Sequence, residues 1–295
     1  AAKRHNLSYV GRRFYSGLEY LRGMEVLLHQ IDAFADAPFS GNPAAVMPLP
    51  DWLPDTVLQQ LAEENNLAET AFYTSRLPPE AGSPPGSRPS YHLRWFTPTT
   101  EVVMCGHATL AAAAHILCDI QPGEDRVSFF THSGWLRVDR TDDDEYVLDL
   151  PVVESVPVEP DAALVAALGV EPVRVYSGAD VVVVVDSERQ VRELAPALSA
   201  FPKVQRGVVV TARGDEVDFV SRFFAPGVGV PEDPVTGSAH AQLAPLWSAE
   251  LGRTRLTARQ LSRRGGSLGV ELAGDRVLLT GRCHRYLDGV VTLDF

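Results

Sequence analysis

Short apolar stretches alternate with polar, Gly- and Pro-rich breaks along almost the whole chain. Period-two patterning predicts strands at 25–34, 67–74, 92–96, 127–130, 134–139 and 146–150 in the first half. In the second half it predicts them at 207–211, 217–224, 271–273, 276–280 and 290–295, and the all-valine run at 181–185 reads as a fully buried strand. Val57, Leu58 and Leu61, following Pro54-Asp55, predict a helix over 53–65, and 161–168 a short one. Two Ala/Leu-rich stretches, 106–118 and the run beyond Gly237, are predicted as buried helices. Pro245 should kink or interrupt the second near Ala241, because proline lacks the N–H a helix interior needs. Residues 38–43, 78–89 and 226–234 read as turns and loops, and Asp142-Asp143-Asp144 as a solvated turn.

The two buried helices open with the same device. Met104-Cys105-Gly106-His107-Ala108-Thr109-Leu110 and Val235-Thr236-Gly237-Ser238-Ala239-His240-Ala241 are glycine-centred turns about half a chain apart. Each follows a Phe-x-Pro element, Phe96-Thr97-Pro98 or Phe224-Ala225-Pro226. A repeated unit of many short strands and few helices implies an α+β fold of two pseudo-symmetric lobes, each a curved sheet around a central helix. The expected boundaries are 24–150 for the first lobe and 151–285 for the second, with 151–160 beginning as a linker. The last strand, 286–295, is expected to return to the first lobe. Helix N-termini attract anions, so a cleft with two of them suits a small carboxylate.

Composition narrows the function. At 295 residues, 45% hydrophobic and 22% charged, the chain reads as a soluble globular protein of two domains. A net charge of −12 argues against non-specific nucleic-acid binding, and no window is long and apolar enough to span a bilayer. Cys105, Cys118 and Cys283 cannot all pair and lack metal-ligand spacing, which points to a reducing, cytoplasmic setting. Residues 1–23 carry Lys3, Arg4, Arg12, Arg13 and Arg22 against Glu19. They read as an extension outside the fold.

Candidate chemistry gathers near the two turns. Glu69 sits in an apolar strand, where partial burial would raise its pKa toward the range useful for proton transfer; an outward-facing strand position is the alternative. His107, in the first turn of its helix, is either a proton relay or a capping and packing residue. Asp233, ahead of the second helix, is either an acid/base or a cap. Thr236, Gly237 and Ser238 offer hydroxyls and N–H groups to a carboxylate. Cys105, at a helix N-terminus that would lower a thiol pKa, is a possible second acid/base. No His pair at helical spacing has an acidic partner, so no metal site is expected. A P-loop and a GxGxxG fingerprint are both absent, so no nucleotide cofactor is expected either.

Several blocks together resemble the PhzF-like (phenazine biosynthesis) isomerase family. They are Asp32-Ala-Phe34 with Phe39-Ser-Gly-Asn-Pro43, Asn66-Leu-Ala-Glu-Thr70, Phe96-Thr-Pro98 with Glu101, Cys105-Gly-His-Ala-Thr109, Glu232-Asp-Pro-Val-Thr-Gly-Ser-Ala-His240 and Gln260-Leu-Ser-Arg-Arg-Gly-Gly266. In order, they run from Asp32 to Gly266, across most of 24–295. The resemblance implies a diaminopimelate-epimerase-like fold, a homodimer and a cofactor-independent proton shift, as on trans-2,3-dihydro-3-hydroxyanthranilate. It places the general base on Glu69, two further acid/base positions on His107 and Asp233, and the carboxylate grip on Gly106, Gly237 and Ser238. Two positions depart from the phenazine enzyme: Ala68 stands for a serine, and Cys105 for an alanine. The related two-thiol epimerases carry a second cysteine where this chain has Thr236 and Ser238, which disfavours a two-cysteine racemase. A one-thiol epimerase using Cys105, or a binding protein without turnover, are the alternatives.

Overall fold

In the computed structural model, which describes residues 21–86, 89–202 and 206–294, strand β1 (Met24–Ala33) pairs antiparallel with β2 (Asn42–Pro48). The turn between them depends on Gly41. Its φ is +73°, and a Cβ there would lie 2.4 Å from the Ala33 carbonyl oxygen. Only glycine fits such a turn without strain. Gly41→Ala is therefore expected to cost more than about 1 kcal/mol of stability. Urea melts of the two proteins check this; an unchanged midpoint would refute it.

From β2 the chain crosses through helix α1 (Asp55–Asn65) to β3 (Glu69–Thr74), parallel to β2, and turns antiparallel into β4 (Ser90–Phe96). Short β5 (Glu101–Val102) and the buried helix α2 (Gly106–His115) lead to β6 (Arg126–Thr131), parallel to β4. Antiparallel β7 (Gly134–Arg140) and β8 (Tyr146–Pro151) finish the half.

The chain passes through β9 (Val156–Val158) and α3 (Ala162–Leu168) into the second half. It then repeats the plan through β10 (Arg174–Ser177), β11 (Val181–Val184), α4 (Glu188–Glu193), β12 (Val208–Arg213), β13 (Phe219–Ala225) and β14 (Val230–Asp233). Helix α5 (Gly237–Leu251) and β15 (Arg255–Gln260), β16 (Gly266–Ala273) and β17 (Arg276–Gly281) complete it. From β1 to β8 and from β10 to β17 the pairings run in one order. That order is antiparallel, parallel, antiparallel, parallel, antiparallel, antiparallel.

The halves are laced together. β8 and β17 pair along their lengths. Each half then lends its next strand to the other: β9 flanks β10, and β18 (Cys283–Leu293) flanks β1. The core follows this plan. One continuous apolar cluster surrounds α2 and α5 across both halves. A second lies under α1, and a third under α3 and α4.

Several expectations need correction. The supposed linker at 151–160 contains β9, because its valines have the edge of β10 to pair with. β10, α4 and β15 were not predicted, and β18 starts at Cys283, well before 290. The expected boundary at Met24 cuts into the fold: Leu21 is 2% exposed in the cluster under α1, and the Gly23 N–H donates to the Leu293 carbonyl. The rest of the expected extension, 1–20, lies outside the described residues. Helix α5 also runs unbroken past Pro245. The Ala241 carbonyl that proline leaves unpaired accepts instead from the Val153 N–H at 3.3 Å.

Candidate active site

The N-termini of α2 and α5 meet at the joint of the halves. Gly106 and Gly237 open the two helices, and a Cβ on either would lie 3.4–3.5 Å from the other's Cα. The missing side chains let the backbones approach this closely. The first N–H groups of a helix have no partner within it, so both helices turn unpaired donors and positive dipole ends toward one place. That place is a cavity of about 410 Å³, bordered by Glu69, Cys105, His107, Arg206, Asp233 and Ser238 among others.

Glu69 is the first residue of β3, on the face of Ala71 and Tyr73, which pack in the cluster around α2. Helices cover both faces of this strand, so it offers no outward position, and Glu69 emerges at the cavity instead. Only 17% of its side chain is accessible. Burial, with the charge of Asp233 nearby, pushes its pKa up to about 8, while a hydrogen bond from the Cys105 thiol opposes the rise. It therefore holds a proton at neutral pH.

His107 is the second residue of α2, buried and capping nothing. Its Nδ1 lies 3.1 Å from Asn42 Nδ2, which also donates to Asp233 Oδ1 at 2.8 Å and to the Val235 carbonyl at 2.9 Å. Two obligate acceptors fix which end of the amide points here. An amide nitrogen does not accept, and its two protons are shared among three contacts, so it favours a bare Nδ1 with the ring proton on Nε2; Cys105 Sγ also lies 3.5 Å from Nδ1. Nε2 stands 3.3 Å from Glu69 Oε2. Burial pulls the ring's pKa down to about 3, so it is neutral. One amide thus biases the tautomer that His107 shows to Glu69.

Asp233 ends β14. Its Oδ2 accepts from Thr236 Oγ1 at 2.5 Å, and Gln260 Nε2 donates to its backbone carbonyl at 2.7 Å. Burial pushes its pKa up to about 6 against the pull of the Thr236 and Asn42 hydrogen bonds. Its carboxylate does not cap α5, whose N-cap is Thr236. The Thr236 hydroxyl is committed to Asp233, which makes it a support for that acid. Cys105, the N-cap of α2, reverses an expectation: burial first, then the Glu69 charge, drive its pKa well up. Desolvation outweighs the helix dipole here, and the group stays a thiol.

Glu69, Cys105 and His107 each place a potential ligand atom within 4.8 Å of the others. Residue spacing alone did not reveal this cluster. Its histidine is poorly set for a metal: a ligating imidazole keeps its proton on the outer nitrogen, and His107 Nδ1 instead faces the Asn42 NH₂, itself a donor. Reasoning from sequence also missed Asn42, read as turn chemistry, and Arg206, a lone cation ahead of an apolar strand. Thr70 lies opposite Phe96 and Val208 opposite Phe224. Matching the two Phe-x-Pro strands therefore makes Gly207 the counterpart of Glu69, and Arg206 that of Ala68.

Two repeated halves of one continuous sheet, each wrapped around one helix and joined where the helices' N-termini meet over an acid-lined cavity, define the diaminopimelate-epimerase-like class. The profile of the phenazine biosynthesis-like proteins (PhzC-PhzF) matches residues 31–289, and the chain belongs to that family. An uncharacterized isomerase of Pseudomonas aeruginosa is 45% identical over 271 residues, covering 92% of this chain and 100% of the relative. The mouse phenazine biosynthesis-like domain-containing protein 1 is 39% identical over 292 residues, covering 91% of this chain and 100% of its own. A crystal structure of a PhzF family phenazine biosynthesis protein from Enterococcus faecalis aligns with a TM-score of 0.84 at 41% identity, covering 92% of this chain and 100% of that one. The resemblance carried by the motifs is borne out.

Proposed function

We propose that the protein is an isomerase that moves a proton within a small carboxylate-bearing substrate, similar to trans-2,3-dihydro-3-hydroxyanthranilate, without a metal or nucleotide. The observation that carries this reading is Glu69, a carboxyl raised to about 8 beside two converging helix N-termini. The substrate carboxylate lies against Gly106, Gly237 and Ser238. Ionised Glu69 takes a proton from one carbon; the electron pair left behind delocalises through the unsaturated system, and Glu69, its proton exchanging with solvent, delivers one to another carbon. The molecular formula is unchanged. The His107 N–H steadies the carboxylate of Glu69, and Asp233 supplies or accepts a proton at the polar end of the substrate. The relative named an isomerase supports the reaction class.

Proton NMR of trans-2,3-dihydro-3-hydroxyanthranilate in D₂O with the protein tests this. Conversion with deuterium entering a ring carbon is expected. Because the base works ionised, the rate at low substrate should climb with pH and level off above about 8. No conversion and no exchange would overturn the assignment for this substrate. A one-thiol epimerase using Cys105 with Glu69 or Asp233 as the opposite base is disfavoured, since burial keeps Cys105 a thiol.

A further inference from the structure

We propose that Arg206, braced by buried Asp180, is a positioning residue that makes the Ser238 hydroxyl an obligatory donor, so that the cavity selects a carboxylate over a carboxamide. This rests on the carboxylate-binding reading above. Asp180 is 2% exposed, and Gln242 of α5 clasps its backbone from both sides. The amide Nε2 donates to the Asp180 carbonyl at 2.9 Å, and Oε1 accepts the Asp180 N–H at 3.1 Å. Arg206 donates through Nε to Asp180 Oδ1 at 2.7 Å and through Nη2 to Oδ2. Its Nη1 then donates to Ser238 Oγ at 2.9 Å. The Arg206 side chain is 37% exposed and borders the cavity.

A hydroxyl has one proton to give, and a serine in the first turn of a helix commonly gives it back to the carbonyl three or four residues earlier. Here, among the described residues, the hydroxyl bonds to neither, and its one side-chain partner is Arg206. The Pro234 carbonyl accepts from Ser262 Oγ at 2.8 Å, and the Val235 carbonyl from Asn42 at 2.9 Å. With the guanidinium held against its oxygen and no carbonyl taking its proton, the hydroxyl is left to turn that proton to the cavity. A carboxylate oxygen accepts it. A carboxamide that turns its NH₂ toward Ser238 meets a second donor. Arg206 and Asn42 thus act alike, one fixing the polarity of a hydroxyl and the other that of an imidazole.

Benzoate and benzamide, matched in shape, test this by titration calorimetry or NMR on the wild type, Ser238→Ala, Arg206→Lys and the double variant, with melting temperatures in parallel. The wild type should bind benzoate roughly tenfold or more tightly than benzamide, the usual weight of a hydrogen bond to a charged group. Ser238→Ala, which strands no buried charge, should lose most of that preference. Arg206→Lys keeps a cation for Asp180 without the planar fork, so it should fold and lose the preference as well. The double variant should be no worse than either single one. Effects that add, or a preference that survives Ser238→Ala, would overturn the proposal and leave the isomerase reading standing. Failure of the wild type to bind benzoate would overturn the carboxylate pocket and this proposal together.

Discussion

Glu69→Gln is expected to slow proton transfer by about 10²–10⁴ and to make the protein harder to unfold at alkaline pH. The second effect follows from linkage. The folded carboxyl holds its proton up to about 8, against an ordinary value of 4.5. Between those values the folded state binds a proton that the unfolded chain has lost, so stability falls as pH rises. The stabilising contribution is fully present below 4.5 and gone above about 8. Each unit of difference is worth about 1.4 kcal/mol, so the gap between variant and wild type should widen by a few kcal/mol across this window. Urea melts at pH 5 and pH 9, with deuterium exchange assays on the same samples, check both effects. A constant offset between the melts, or exchange at the wild-type rate, would remove Glu69 from the role.

Asn42→Leu should damage the fold and the site together. One amide nitrogen shares its two protons among Asp233 Oδ1, the Val235 carbonyl and, at longer range, His107 Nδ1. Its loss strands buried acceptors, at roughly 1–3 kcal/mol each. The effect on the site is more specific. Without the donor, the His107 proton is free to move to Nδ1, and Asp233 loses one of the hydrogen bonds that restrain its upward shift. Nitrogen-detected NMR should show a single Nε2–H tautomer in the wild type and a mixture in the variant. The variant's pH–rate profile should also move. A variant with the wild-type tautomer and midpoint would contradict this account.

Much of this was legible in the chain. The twin glycine turns announced both the repeat and the converging helices, because close backbone approach leaves so few residue choices. Glu69, His107 and Asp233 all reach the cavity, although alternation alone could not tell the first from an outward strand residue. What escaped reading has physical causes. β15 alternates cleanly, but Arg255, Thr257 and Arg259 occupy its outer positions and obscure the apolar face of Leu256 and Ala258. β9 and β10 are short, and β9 is a strand only through its pairing with β10. Asn42 and Arg206 act through partners far away in sequence, Asp233 and Asp180 among them, and no local pattern encodes that. Cys105 was misread because local helix electrostatics are visible in sequence while depth of burial is not.

The lending of strands between halves also sets an order of events during synthesis. β9 leaves the ribosome just ahead of β10, the strand it flanks. β1 has no such neighbour at hand. Its register joins Met24 to Leu293, at opposite ends of the described chain. At roughly 5–20 residues per second, the nascent first half waits for on the order of tens of seconds with that edge unpaired. An open edge invites pairing with other chains, so the interval before β18 emerges is when the growing polypeptide is most exposed to misassembly.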